Sequence, residues 1–96
     1  MSKSILDFYM KFGYSLENKG INESIIPFSL TEEFFELCKK EKILILGGDI
    51  YEKIQDNEFL ATYDNWYYDG SNSIESILEA QIYLNKLRKE NLYISF

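Results

Sequence analysis

The sequence predicts an α+β fold, a small, mostly antiparallel sheet of about four to five strands packed with about three helices. Three observations carry this. Three stretches repeat apolar residues at helical spacing behind a capping residue. Several short β-branched or aromatic runs lie between turn signals. The links between the central runs are only a few residues long, which favours antiparallel neighbours, since a parallel crossover needs about a dozen residues.

In the first helix Ser4 is the expected cap, and Ile5, Phe8, Tyr9 and Phe12, with Leu16 beyond, share one apolar face. Gly13 ends or weakens that helix. Asn18-Lys19-Gly20 is a turn signal, and Glu17 to Phe28 reads as a loop with room for a short helical turn or extended piece. Pro27 biases Ile26 toward extended geometry. The second helix has two candidate starts: Ser29 with Glu32 as a capping box, or Thr31 with Leu30 stapled against Phe35. Phe34, Phe35, Leu37 and Cys38 form its buried face, and Lys39, Lys40 and Lys42 suit its negative end.

Ile43-Leu44-Ile45-Leu46 then reads as a buried strand stopped by a turn at Gly47-Gly48, where glycine permits positive φ or close approach. Further strands are expected at Ile50–Ile54 and Phe59–Tyr63, with Trp66-Tyr67-Tyr68 extended. Asp56-Asn57 is the turn between the first two. Alternation puts Trp66 and Tyr68 on one face and Tyr67 on the other. The third helix starts at Asn72, paired with Glu75, or at Ser73, and runs to about Lys89. Ile74, Ile77, Leu78, Ile82, Leu84 and Leu87 give it a broad apolar face. Leu92 to Phe96 alternates and is expected to return as a last strand.

The 96 residues suit one domain, 1–96, with one modest core. At 46% hydrophobic and 17% aromatic, the chain is too apolar for disorder. No apolar run nears the roughly 20 residues that span a bilayer. Ile5-Leu6 meets Asp7 too soon for a secretory leader, so a cytoplasmic protein without membrane association is expected. Cys38 is the only cysteine, so no internal disulfide can form, and a buried small residue is its expected role. There is no histidine, which removes the usual general base and the commonest zinc ligand.

Net charge is −6, unevenly spread. From Asp49 to Glu79 there are eight acids and one base, Lys53, so this segment carries −7 and the remainder +1. Such a field repels phosphate backbones and attracts basic partners. A solvated face that aids solubility is the plainer alternative. The same segment holds Tyr51, Tyr63, Trp66, Tyr67 and Tyr68 among Asp49, Asp64 and Asp69. Tyrosine and tryptophan recur at interface hot spots, so these eight residues are the candidate partner-binding set. For Trp66 alone, the core is the stronger reading. Glu23, Asp49 and Asp64 are the one candidate catalytic set, because paired carboxylates cleave glycosides when held at the right separation. No metal or phosphate-loop spacing is present, and no cofactor, metal ion or catalytic activity is expected. A homodimeric adaptor using the aromatic strip is the third reading, and a monomer or weak homodimer is the expected state.

Leu46-Gly47-Gly48-Asp49-Ile50-Tyr51 followed by Tyr63-Asp64-Asn65-Trp66-Tyr67 resembles the paired signature of the immunity protein 40 family. Gly20-Ile21-Asn22-Glu23 resembles that family's Gly-Ile-Asn-Glu turn, and the likeness runs from about Gly20 onward. The sequence departs from the pattern at Ser24-Ile25-Ile26, where a Trp-Ala-Leu-like run is usual, and at Tyr68, where a small residue or cysteine is. The resemblance implies a bacterial immunity protein of a polymorphic toxin system, serving contact-dependent competition. Such a protein binds a cognate toxin domain and occludes it, without cofactor or turnover. A basic nuclease is one toxin class that an acidic inhibitor would suit.

Overall fold

The computed structural model describes residues 3–16, 23–56, 58–87 and 91–96. Among them the order is α1 (Lys3–Phe12), β1 (Tyr14–Ser15), β2 (Ser24–Pro27), a 3₁₀ turn (Phe28–Leu30), α2 (Thr31–Glu41), β3 (Gly47–Gln55), β4 (Glu58–Tyr67), α3 (Ser73–Asn85) and β5 (Leu92–Ser95). The fold is α+β, with three helices and a five-stranded sheet in the order β1-β2-β5-β3-β4. Every pairing is antiparallel.

The order follows from the two helical crossovers. β2 and β3 are parallel, bridged by α2, with β5 between them; β4 and β5 are parallel, bridged by α3, with β3 between them. Crossovers that follow the right-handed rule and run in opposite senses across the sheet put both helices on the same face, and residues of both share one core cluster. The main core lies there: Ile26, Ile50, Trp66, Leu92 and Ile94 from the sheet meet Ile5, Phe34, Phe35, Cys38, Ile77, Ala80 and Leu84 from the helices. Strand alternation sends Tyr51 and Tyr93 to the opposite face. There they join Leu16 and Ile25 in a smaller cluster flanked by Phe59 and Ala61.

Several expectations change. Lys3 is already helical, so Ser4 lies in the first turn of α1 and not at its cap. Gly13 does end that helix, its N–H returning to the Tyr9 carbonyl at 2.8 Å. Leu16 leaves the α1 face for the smaller cluster, its N–H donating to the Glu23 carbonyl at 2.9 Å. The expected loop from Glu17 to Phe28 contains β2, and β1 precedes it. Gly20 and the rest of its turn, apart from Glu23, lie outside the described residues, as does Asn57.

Neither expected cap starts α2. The 3₁₀ turn feeds straight into the helix, Leu30 is the cap without a side-chain bond, and the Thr31 hydroxyl donates to the Phe28 carbonyl at 2.8 Å. The preceding turn already satisfies backbone donors that a capping side chain would otherwise serve. Phe34, Phe35 and Cys38 are buried as their spacing requires. Lys42 ends the helix in the left-handed region at φ 57°.

Ile43 to Leu46 is not a strand. Ile45 is buried there, but its N–H goes to the Ser76 hydroxyl of α3 at 3.0 Å, while Leu46 is exposed. The strand begins where a turn was expected, at Gly47, and Gly47 and Gly48 pair with Tyr67 and Trp66. The two runs expected after Asp56-Asn57 are one strand, β4.

Asn72 caps α3, its side-chain oxygen accepting from the Glu75 N–H at 2.9 Å. The helix ends at Asn85, short of Lys89. Its apolar residues divide: Ile77, Ala80 and Leu84 are buried, whereas Ile74, Leu78 and Ile82 are exposed. No helix among the described residues is long and apolar enough to cross a membrane.

Candidate partner-binding surface

The site is built on a fit between two glycines and one indole. Gly48 pairs with Trp66 across the hairpin, and a Cβ at Gly48 would stand 2.5 Å from Trp66 Cη2. Gly47, at φ +152°, runs so close to β4 that a Cβ would stand 2.2 Å from the Trp66 carbonyl oxygen. The motif therefore seats Trp66 in the core, at 8% exposure. Its ring stacks on Tyr83 at 5.1 Å between centroids and meets the Phe96 ring edge-on at 5.8 Å. The buried indole N–H has no side-chain or backbone partner among the described residues, so ring packing holds it.

With Trp66 pointing inward, alternation turns Tyr67 outward, and that ring is 89% exposed. A second tyrosine is pushed out by a bulge. The register passes from Asp49↔Asn65 to Tyr51↔Ala61, so Thr62, Tyr63 and Asp64 stand against Ile50 alone. Tyr63 takes φ 67° and is 90% exposed. The Thr62 hydroxyl pins the bulge, donating to the Ile50 carbonyl at 3.2 Å and accepting from the Asp64 N–H at 3.3 Å.

The eight candidate residues thus separate. Trp66 and Tyr51 are interior, contrary to a direct contact role for either. Tyr68 is half-buried against Gly70, its hydroxyl accepting from the Asn72 N–H at 3.2 Å. Tyr63, Tyr67, Asp49, Asp64 and Asp69 are exposed. The only ion pair in the Asp49–Glu79 segment among the described residues joins Lys53 to Asp56 at 3.7 Å, so most of its acids carry no neutralising partner.

Two of the three carboxylates considered for catalysis meet. The Tyr51 hydroxyl donates to Glu23, and Glu23 and Asp49 line the same groove. Burial raises the Asp49 pKa, and the neighbouring Glu23 charge and hydrogen bond raise it further. Burial is also the main cause of an upward shift at Tyr51, reinforced by Glu23. Asp64 sits apart, beside Tyr83, whose pKa rises through burial and then through the Asp64 charge. Glycoside hydrolysis needs its two carboxyls about 5 Å or more apart. Asp64 is absent from the groove that Glu23 and Asp49 share, so the three carboxylates do not converge on one site. Glu23 and Asp49 line a groove of about 330 Å³ with Gly47, Asn65, Tyr67 and Ser95. The groove brings Glu23, the residue before β2, beside β3, far apart in the chain.

A small α+β domain that displays tyrosines and unpaired carboxylates along one sheet edge has the make-up of a protein-binding module. The chain belongs to the immunity protein 40 family, whose family model matches residues 15–96. Neither curated proteins nor solved structures give a significant match.

Proposed function

We propose that this protein binds a cognate toxin domain and neutralises it by occlusion, through the acidic, tyrosine-bearing surface around Asp49, Tyr63, Asp64, Tyr67 and Asp69. The observation that supports this most is the exposure of Tyr63 and Tyr67, 90% and 89%, beside carboxylates without ion partners. Folding gains little from either ring, whereas a partner that covers them gains large area at low entropic cost. Trp66 and Tyr51 serve from beneath: one fixes the hairpin on the helices, the other holds Glu23 beside Asp49.

The charge of the surface favours a basic partner, such as a nuclease domain whose own face is shaped for phosphates. The protein acts in the cytoplasm as a stoichiometric inhibitor and catalyses nothing. The Glu23–Asp49 groove faces the same partner and suits a lysine or arginine side chain.

The test is titration with the product of the reading frame that neighbours this chain's own. A one-to-one complex is expected, with an association rate that falls as salt rises. Tyr67→Ala removes a ring exposed enough that stability should move by less than about 0.5 kcal/mol. As a hot spot, that ring should cost about 2 kcal/mol of binding, roughly thirtyfold in Kd. Unchanged binding by folded Tyr67→Ala and Asp69→Ala variants would refute the assignment of this surface.

A further inference from the structure

Helix α3 carries more apolar surface than its packing uses. At 100° per residue, the buried Ile77, Ala80 and Leu84 occupy an arc of about 60°. Ile74, Leu78 and Ile82 follow one another at spacings of four on a second arc, centred about 130° away. Those three side chains are 58%, 52% and 44% exposed. The helix thus has two apolar faces, one covered by the fold and one turned to solvent.

The outer stripe has acidic margins. Glu75 and Glu79 border it on the side toward Tyr83 and the sheet, and both are exposed. On the other border Gln81 reaches Glu32 of α2, Nε2 to Oε2 3.5 Å. Lys86, the C-cap of the helix, falls on the same side of the helical wheel as Glu75 and Glu79. An apolar centre inside a charged rim is the layout of a protein–protein contact.

The rim chooses the occupant. A membrane surface rich in anionic lipids is repelled by Glu75 and Glu79. A second copy fares no better. Two-fold pairing of antiparallel helices lays the Glu75–Glu79 margin of one copy against the same margin of the other, like charge on like. A foreign protein whose apolar patch is ringed by lysine or arginine satisfies both features.

We propose that the Ile74–Leu78–Ile82 stripe of α3 is a second contact region for the toxin domain, and that it fits an apolar patch with a basic rim. This rests on the toxin-binding reading above. It adds that one partner spans the turn at Asp69–Asn72, touching both the tyrosine-bearing edge and α3.

The test titrates the full chain with the product of the neighbouring reading frame, disabled by mutation of its active site. Leu78→Gln with Ile82→Gln should weaken Kd by roughly thirtyfold or more, as loss of an interface centre does, with the thermal melt unchanged. Leu78→Ala alone, expected to weaken binding in the same direction, serves if the double variant melts early. Glu75→Gln with Glu79→Gln should slow association and flatten its salt dependence. Unchanged binding by the folded Leu78 and Ile82 variants, while Tyr67→Ala weakens it, overturns the stripe alone. Failure of the unaltered chain to bind overturns the toxin-binding reading and the stripe together. Dimerisation of the isolated chain that Leu78→Gln with Ile82→Gln abolishes overturns the proposal in favour of a second copy.

Discussion

Replacing Gly47 with alanine puts a methyl group where β4 already has backbone. The new Cβ would stand 2.2 Å from the Trp66 carbonyl oxygen, at a φ of +152° that side-chain-bearing residues rarely adopt. A carbonyl held in a strand pair cannot swing aside as a side-chain tip can, so the hairpin must part where Gly47 faces Tyr67. Overpacking of this kind costs about 1–3 kcal/mol. The rare backbone angle adds about 1–3 kcal/mol more. A total of about 2–6 kcal/mol is a large share of the roughly 5–14 kcal/mol expected for a domain of this length. At about 4–8 °C per kcal/mol, the melting temperature should fall by at least roughly 8 °C. Trp66 is the only tryptophan, so its fluorescence reports the melt at the place perturbed. Gly48→Ala is the companion: its Cβ would meet Trp66 Cη2 at 2.5 Å and the Ser95 carbonyl at 2.9 Å. It should destabilise by about 1–3 kcal/mol and shift the emission as the ring is displaced. A Gly47→Ala protein that melts with the wild type would refute the close-approach argument.

Two further outcomes follow from buried or crowded polar groups. Ser76 is fully buried, its hydroxyl accepting from the Ile45 N–H at 3.0 Å and donating to the Ser73 carbonyl at 2.7 Å. Ser76→Ala should cost about 1–3 kcal/mol by stranding the Ile45 donor, and an unchanged denaturant midpoint would count against that bond. The Asp49 carboxyl has a raised pKa from burial and from Glu23, so its charged form opposes folding. That cost is present above the raised value and fades as pH falls through it toward the ordinary range near 3.9. Asp49→Asn should therefore raise the melting temperature at pH 7, with the gain vanishing in acid. Equal melting temperatures at pH 7 would show that the carboxylates do not repel.

What could be read along the chain was whatever a short window decides. Phe34, Phe35 and Cys38 recur at helical spacing, and they are buried. Asn72 stands three residues before Glu75, and it caps. Trp66 and Tyr67 alternate, and one is inside while the other is outside. A short window fails where a partner distant in sequence supplies the decisive bond. Ile43 to Leu46 has a strand's composition, but Ile45 spends its donor on a serine of α3. Gly47-Gly48 resembles a turn, but the space the glycines leave is filled by Trp66, eighteen residues on from Gly48.

The amino-acid order alone settled the fold class, the three helices and that Trp66 and Tyr67 face opposite ways, because propensity, capping and alternation act between near neighbours. Only the assembled molecule decided that β5 lies between β2 and β3, that α3 leaves Ile74, Leu78 and Ile82 uncovered, and that Glu23 comes beside Asp49. Those outcomes depend on crossover direction and strand register, which set contacts between residues tens of positions apart and leave no trace in local spacing.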